Sequence, residues 1–78
     1  MKPDEINKLR TGIAEILEVD IDDIKDDVHL VESLGADSFA TLEILSFAEN
    51  TFTVSIPPEC LPRMTSLKRI IQLIDENI

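Results

Sequence analysis

Among the residues able to do chemistry, one serine stands out by its setting. Ser38 follows Leu34-Gly35-Ala36-Asp37 and precedes Phe39. Gly35 permits a tight turn. Asp37 is a preferred N-cap type standing ahead of a helical pattern. The Ser38 hydroxyl therefore falls in the first turn of a helix, beside free backbone N–H groups and the positive end of the helix dipole. A phosphate attached there is electrostatically favoured. Taken alone, Ser38 also reads as an ordinary polar residue at a helix start.

No other group offers a comparable setting. His29 is the only histidine and has no catalytic partner in its acidic loop, so it reads as a surface residue or loop contact. Cys60 lacks a second Cys or His at ligand spacing, which excludes a zinc site and makes it a small apolar residue. Asp20, Asp22, Asp23, Asp26 and Asp27 suggest a calcium loop, but the position that needs Gly holds Lys25 and the one that needs Glu holds Val31. These aspartates read as a solvated acidic loop. Gly12 and Gly35 stand too far apart for a phosphate-cradling loop. No nucleophile, base or metal set falls within mutual reach, so an enzyme is not expected.

The chain of 78 residues is expected to form a single domain over 1–78. Hydrophobic residues make up 44% and aromatics 4%, with two glycines, which describes an aliphatic, all-α protein. Seven basic residues face sixteen acidic ones, for a net charge of −9. Such a surface repels nucleic acid and anionic membranes and attracts basic patches on protein partners. A lone Cys60 makes no internal disulfide, residues 1–8 lack the apolar run of a signal peptide, and no stretch reaches the ~18 apolar residues of a membrane span. The expectation is a cytoplasmic monomer without membrane insertion.

The elements that must position Ser38 follow from periodicity. A first helix begins at Pro3, carries Asp4 and Glu5 in its first turn, and fades near Glu18. Ile6, Leu9, Ile13, Ile16 and Leu17 share one face, and Gly12 weakens the helix slightly. A long loop spans Val19 to Asp37, with a possible helical turn at Asp22–Lys25. The second helix starts at Asp37 and turns Ile44, Leu45, Ala48 and Phe52 to the core, leaving Phe39 and Leu42 partly buried. A Pro-rich segment then admits one short helix before Pro62 interrupts it. Thr65 or Ser66 caps the last helix, whose apolar face is Leu67, Ile70, Ile71, Ile74 and Ile78. The sum is a small bundle of three main helices plus one short helix, with the long loop between the first and second.

The motif Gly35-Ala36-Asp37-Ser38-Phe39 resembles the attachment sequence of acyl carrier proteins, Gly-x-Asp-Ser usually followed by Leu. The resemblance covers nearly the whole chain. Val28 to Leu34 looks like the family's approach to the motif and Thr41 to Leu45 like its second helix. Phe52 to Pro57 looks like that helix's exit, and Met64 to Leu67 like the start of the last helix.

The resemblance implies that a phosphopantetheinyl transferase moves a 4′-phosphopantetheine arm from coenzyme A to Ser38. The arm then carries acyl intermediates as thioesters to partner enzymes of fatty acid, polyketide or related biosynthesis. It also implies docking to basic partner patches through Asp37, Phe39, Leu42, Glu43, Ser46 and Glu49. The sequence departs from the family at Ala40, Asn50 and Thr51, where acidic residues are usual, and at Pro58 and Pro62 in the third helix. A carrier for a specialised pathway is therefore expected. Two alternatives stand beside it. A peptidyl or aryl carrier of non-ribosomal synthesis shares the fold, although Ala36, Asp37 and a chain with its own Met1 argue for the acyl class. An unmodified acidic helical adaptor needs no arm.

Overall fold

The apolar spacing of the first seventeen residues produces helix α1, Pro3–Leu17. Pro3 stands where its missing N–H is not needed, and the Lys2 N–H donates to Glu5 Oε1 at 3.0 Å. Leu9 and Ile13 are wholly buried. The helix stops at Glu18, which takes the left-handed conformation at φ 57°. These features belong to a computed structural model that describes every residue from Met1 to Ile78.

The connection that follows is more ordered than the expected loop. It holds a 3-10 turn, Ile21–Asp23, and a second α-helix, α2, Leu30–Leu34. Two backbone bonds pin it to the far end of the chain: the Leu30 N–H donates to the Thr65 carbonyl at 2.8 Å, and the Lys68 N–H to the Asp26 carbonyl at 2.9 Å. Ile24 and Leu30 are buried to 1% or less and fasten the segment to the core.

Helix α3, Ser38–Phe52, and helix α4, Leu67–Asn77, complete the bundle. Ser66 rather than Thr65 caps α4, its Oγ accepting from the Arg69 N–H at 3.3 Å. Ile44, Leu45 and Ala48 of α3 meet Leu67, Ile70, Leu73 and Ile74 of α4 in one buried cluster with Leu9 and Ile13. Leu73 was not among the expected core residues. Ile78, which was, is 83% exposed because α4 ends at Asn77. Between α3 and α4 a 3-10 helix spans Pro58–Arg63. Pro62 lies inside it and does not end it. The adjoining bonds, Cys60 N–H to Pro57 O and Met64 N–H to Leu61 O, bypass the nitrogen that Pro62 lacks.

Gly12 has a packing role that its helix propensity conceals. A Cβ placed there would lie 2.2 to 2.8 Å from the ring atoms of Phe47 on α3. The bare backbone of α1 is thus the seat for the Phe47 ring. Gly12→Ala alone gains helix propensity, about 1 kcal/mol, but displaces that ring at an overpacking cost of about 1–3 kcal/mol. The two changes should couple. In a Phe47→Ala background Gly12→Ala is expected to stabilise by about 1 kcal/mol, and beside the native Phe47 the gain vanishes or reverses. Urea denaturation of the four proteins of the double-mutant cycle checks this; equal effects in both backgrounds contradict it.

Candidate functional site

Two helix ends meet within three residues. Helix α2 closes at Gly35, whose φ of 73° lies in the left-handed region. The Gly35 N–H donates to the Val31 carbonyl and the Ala36 N–H to the Leu30 carbonyl, both at 3.0 Å. The Gly35 bond is the single closure of an αL cap, which favours Gly at the left-handed position, and the Ala36 bond reaches one residue further back. Ala36 is buried at 3% exposure and anchors the turn in the core. Asp37 then opens α3, its Oδ1 accepting from the Ala40 N–H at 2.8 Å. At the other end of α2, His29 Nδ1 accepts from the Glu32 N–H at 3.1 Å. His29 is therefore a helix cap, a specific form of the loop contact expected of it.

Ser38 is the first residue of α3 and is exposed. The capping position beside it is taken by Asp37, and the Thr41 hydroxyl turns back to the Asp37 carbonyl at 3.0 Å. No backbone carbonyl accepts from the N–H of Ser38 or Phe39. The serine oxygen thus stands beside two free amide donors at the positive end of a fifteen-residue helix. Two features fit a phosphate ester at this position: an accessible hydroxyl and free donors for phosphate oxygens. Residues 26–62 contain no Lys or Arg at all, but seven carboxylates.

A groove of about 490 Å³ opens beside Ser38. Val31, Ala36, Leu42 and Leu61 give it apolar walls, and Pro62 closes its rim. Phe39 and Leu42, expected to be partly buried, are 60% and 51% exposed, and Val31 is 48% exposed. They lie at the start of α3 and on α2, ahead of the stretch of α3 that reaches the core. The result is an apolar surface around the serine with carboxylates at its margins. Sequence reasoning missed Val31, Leu61 and Pro62 as parts of this site. Their signal is weak, because they come from two elements, α2 and the 3-10 helix, that meet beside α3 only in the fold.

The expected docking residues divide. Asp37, Phe39, Leu42, Glu43 and Ser46 are exposed on α3 or its cap. Glu49 is half-buried, and its Oε2 accepts from the Ile56 N–H at 2.9 Å. That carboxylate holds the chain where it leaves α3.

The fold and site define a class: small helical bundles with an exposed serine at a helix N-terminus. The model of the phosphopantetheine attachment site family matches residues 7–74. An acyl carrier protein of Guillardia theta is 30% identical over 71 residues, covering 91% of this chain and 88% of that protein. A chain of the solved structure described as the ishigamide ketosynthase/chain length factor superposes with a TM-score of 0.79 at 29% identity. The match covers 96% of this chain and 94% of that one. The chain belongs to the acyl carrier protein family, whose members bear a covalent 4′-phosphopantetheine group.

Glu49 supplies the test of the internal architecture. Glu49→Ala leaves the Ile56 N–H without its partner and should cost about 1–3 kcal/mol. Glu49→Gln keeps an acceptor oxygen and should lose less. Urea midpoints of the two variants measure the difference; an Ala variant as stable as the native chain contradicts the assignment.

Proposed function

We propose that Ser38 carries the arm and that residues 1–78 act as one carrier unit in fatty acid or polyketide biosynthesis. The observation that bears most weight is the accessible Ser38 beside two unpaired N–H groups at the head of α3. In the modifying step the Ser38 oxygen forms a bond to the phosphorus of coenzyme A that bears the pantetheine. The bond from that phosphorus to the nucleotide portion breaks, and the hydroxyl proton is lost. The arm supplies a terminal thiol to which acyl groups are joined. The chain's own residues bind and orient. The N–H groups of Ser38 and Phe39 face the phosphate, Asp37 fixes the helix start, and Val31, Leu42 and Leu61 offer apolar contact beside the serine. Reactions of the acyl group belong to partner enzymes, so this chain is a carrier and not a catalyst.

Docking runs through α3. Asp37 and Glu43 give it only negative charge, Glu49 being held by the Ile56 N–H, while Phe39, Leu42 and Ser46 provide the uncharged surface between. A phosphopantetheinyl transferase and acyl-handling synthase enzymes with basic patches are the fitting partners. The carrier works as a cytoplasmic monomer, in keeping with its single thiol at Cys60. No helix is long and apolar enough to cross a membrane. A specialised pathway is favoured by the thin acidic supply of α3, where Glu49 is held internally and Glu43 is the carboxylate left free beyond the cap. Similarity to a chain from a ketosynthase/chain length factor structure points the same way.

The decisive experiment is intact mass before and after incubation with coenzyme A and a broad-specificity phosphopantetheinyl transferase. A gain of one phosphopantetheine unit is expected for the native chain and none for Ser38→Ala. No gain on folded, unmodified native protein would leave the unmodified adaptor as the better account. A second outcome concerns the pathway. Malonyl loading of the holo form by a fatty-acid-pathway transacylase should be poor, read by mass against a general carrier. Equal loading refutes the specialised reading.

A further inference from the structure

The largest recess on the molecule is not the one beside Ser38. It measures about 730 Å³ and is bordered by Arg10 of α1, Lys25 and Asp26 of the connection, and Lys68 of α4. A neighbouring recess shares Asp27, Lys68 and Gln72 with it and adds Arg69. Neither shares a residue with the groove at Ser38. Four of the seven Lys and Arg residues thus gather on one continuous face, drawn from three parts of the chain.

The charges of this face are largely uncommitted. Arg10 is paired with Asp26 at 2.9 Å, and the other two ion pairs of the molecule lie elsewhere, at Met1–Asp75 and Arg63–Glu76. Lys25, Lys68 and Arg69 have no carboxylate partner, and Arg69 reaches only the neutral Gln72 amide at 3.5 Å. In a chain with sixteen acidic residues, three adjacent cations without a partner are against the grain of the composition. Asp26 and Asp27 are the only carboxylates lining the two recesses, so four cations meet two anions there. The remainder of the chain holds fourteen carboxylates against three Lys or Arg. The two recesses thus hold a local excess of positive charge, with Asp22 and Asp23 at the edge beside Lys25.

We propose that the face bearing Arg10, Lys25, Lys68 and Arg69 is a second docking surface, fitted to a localised acidic patch on a protein partner. The charge pattern selects this occupant. A long polyanion such as nucleic acid presents uniform charge and would meet the fourteen carboxylates as well as this face. A compact Glu- or Asp-rich patch meets only this face, since near 0.1 M salt the screening length is about 10 Å. Such a surface orients an approaching partner, because the two faces of the carrier pull in opposite senses. An enzyme or assembly that offers both a basic and an acidic patch would fix the rotation of the carrier as well as its position.

The test uses the intact chain labelled with nitrogen-15 at about 0.1 M salt. Hexaglutamate is expected to shift the backbone amide resonances around Arg10, Lys25, Lys68 and Arg69 and to leave those of residues 38–49 in place. Hexalysine is expected to shift amides beside the exposed carboxylates instead, those of residues 20–27 and Glu43 among them. The triple variant Lys25→Glu, Lys68→Glu, Arg69→Glu should lose the hexaglutamate shifts and keep the hexalysine shifts, and the latter also certify its fold. No hexaglutamate shifts at millimolar peptide, shifts that persist in the triple variant, or equal shifts with a short duplex DNA would each overturn the proposal. None of these outcomes touches modification at Ser38, which is read separately by mass.

Discussion

The three residues Gly35, Ala36 and Asp37 govern the working end of this molecule. They close one helix and open the next with almost no chain between. Gly35 supplies the left-handed turn, Ala36 drives the turn into the core, and Asp37 satisfies the third amide of α3, that of Ala40, with its side chain. Each residue type has a separate physical reason. Ser38 has nowhere to go but outward, at the head of a helix whose first amides are free. The setting of Ser38 is thus fixed by backbone hydrogen bonding more than by any side-chain pocket.

Around this corner the surface divides by charge and polarity. The start of α3 and the exposed side of α2 show Phe39, Leu42 and Val31 to solvent, with carboxylates nearby. Large apolar side chains exposed beside a reactive position are costly to leave wet unless a partner covers them. Carriers hand a tethered group to many enzymes, so their contacts must form and break readily. A small apolar patch within an acidic surface suits that need: the charge hastens encounter, and the limited buried area keeps release fast.

Much of this was legible in the sequence, and the reasons are local. Pro3, Asp37 and Ser66 mark helix starts by their own chemistry, and the apolar spacing of α1 and α4 shows in single stretches. The same locality gave the motif at Ser38. Helix α2 escaped because five residues are too few for a period, and its cap is His29, not one of the usual Ser, Thr, Asp or Asn. Pro62 misled because the rule against proline is strict for α-helices, whereas this segment is 3-10. The seat of Phe47 on Gly12, the bond from Glu49 to Ile56 and the exposure of Phe39 all depend on which elements pack together. No pattern along a single segment carries that information.

The bond from Leu30 to Thr65 has a consequence for the order of assembly. A five-residue helix does not persist alone in water. Helix α2 is held by its capping bonds, by its buried Leu30 and by a backbone bond to a residue near the start of α4. The corner that displays Ser38 therefore matures only when the last quarter of the chain has joined it. During synthesis the serine leaves the ribosome well before the residues that complete its setting. An enzyme that recognises the finished corner, and not the bare sequence, will find it only on chains whose two ends have already met. With the arm at Ser38, as proposed, folding itself acts as the checkpoint for loading.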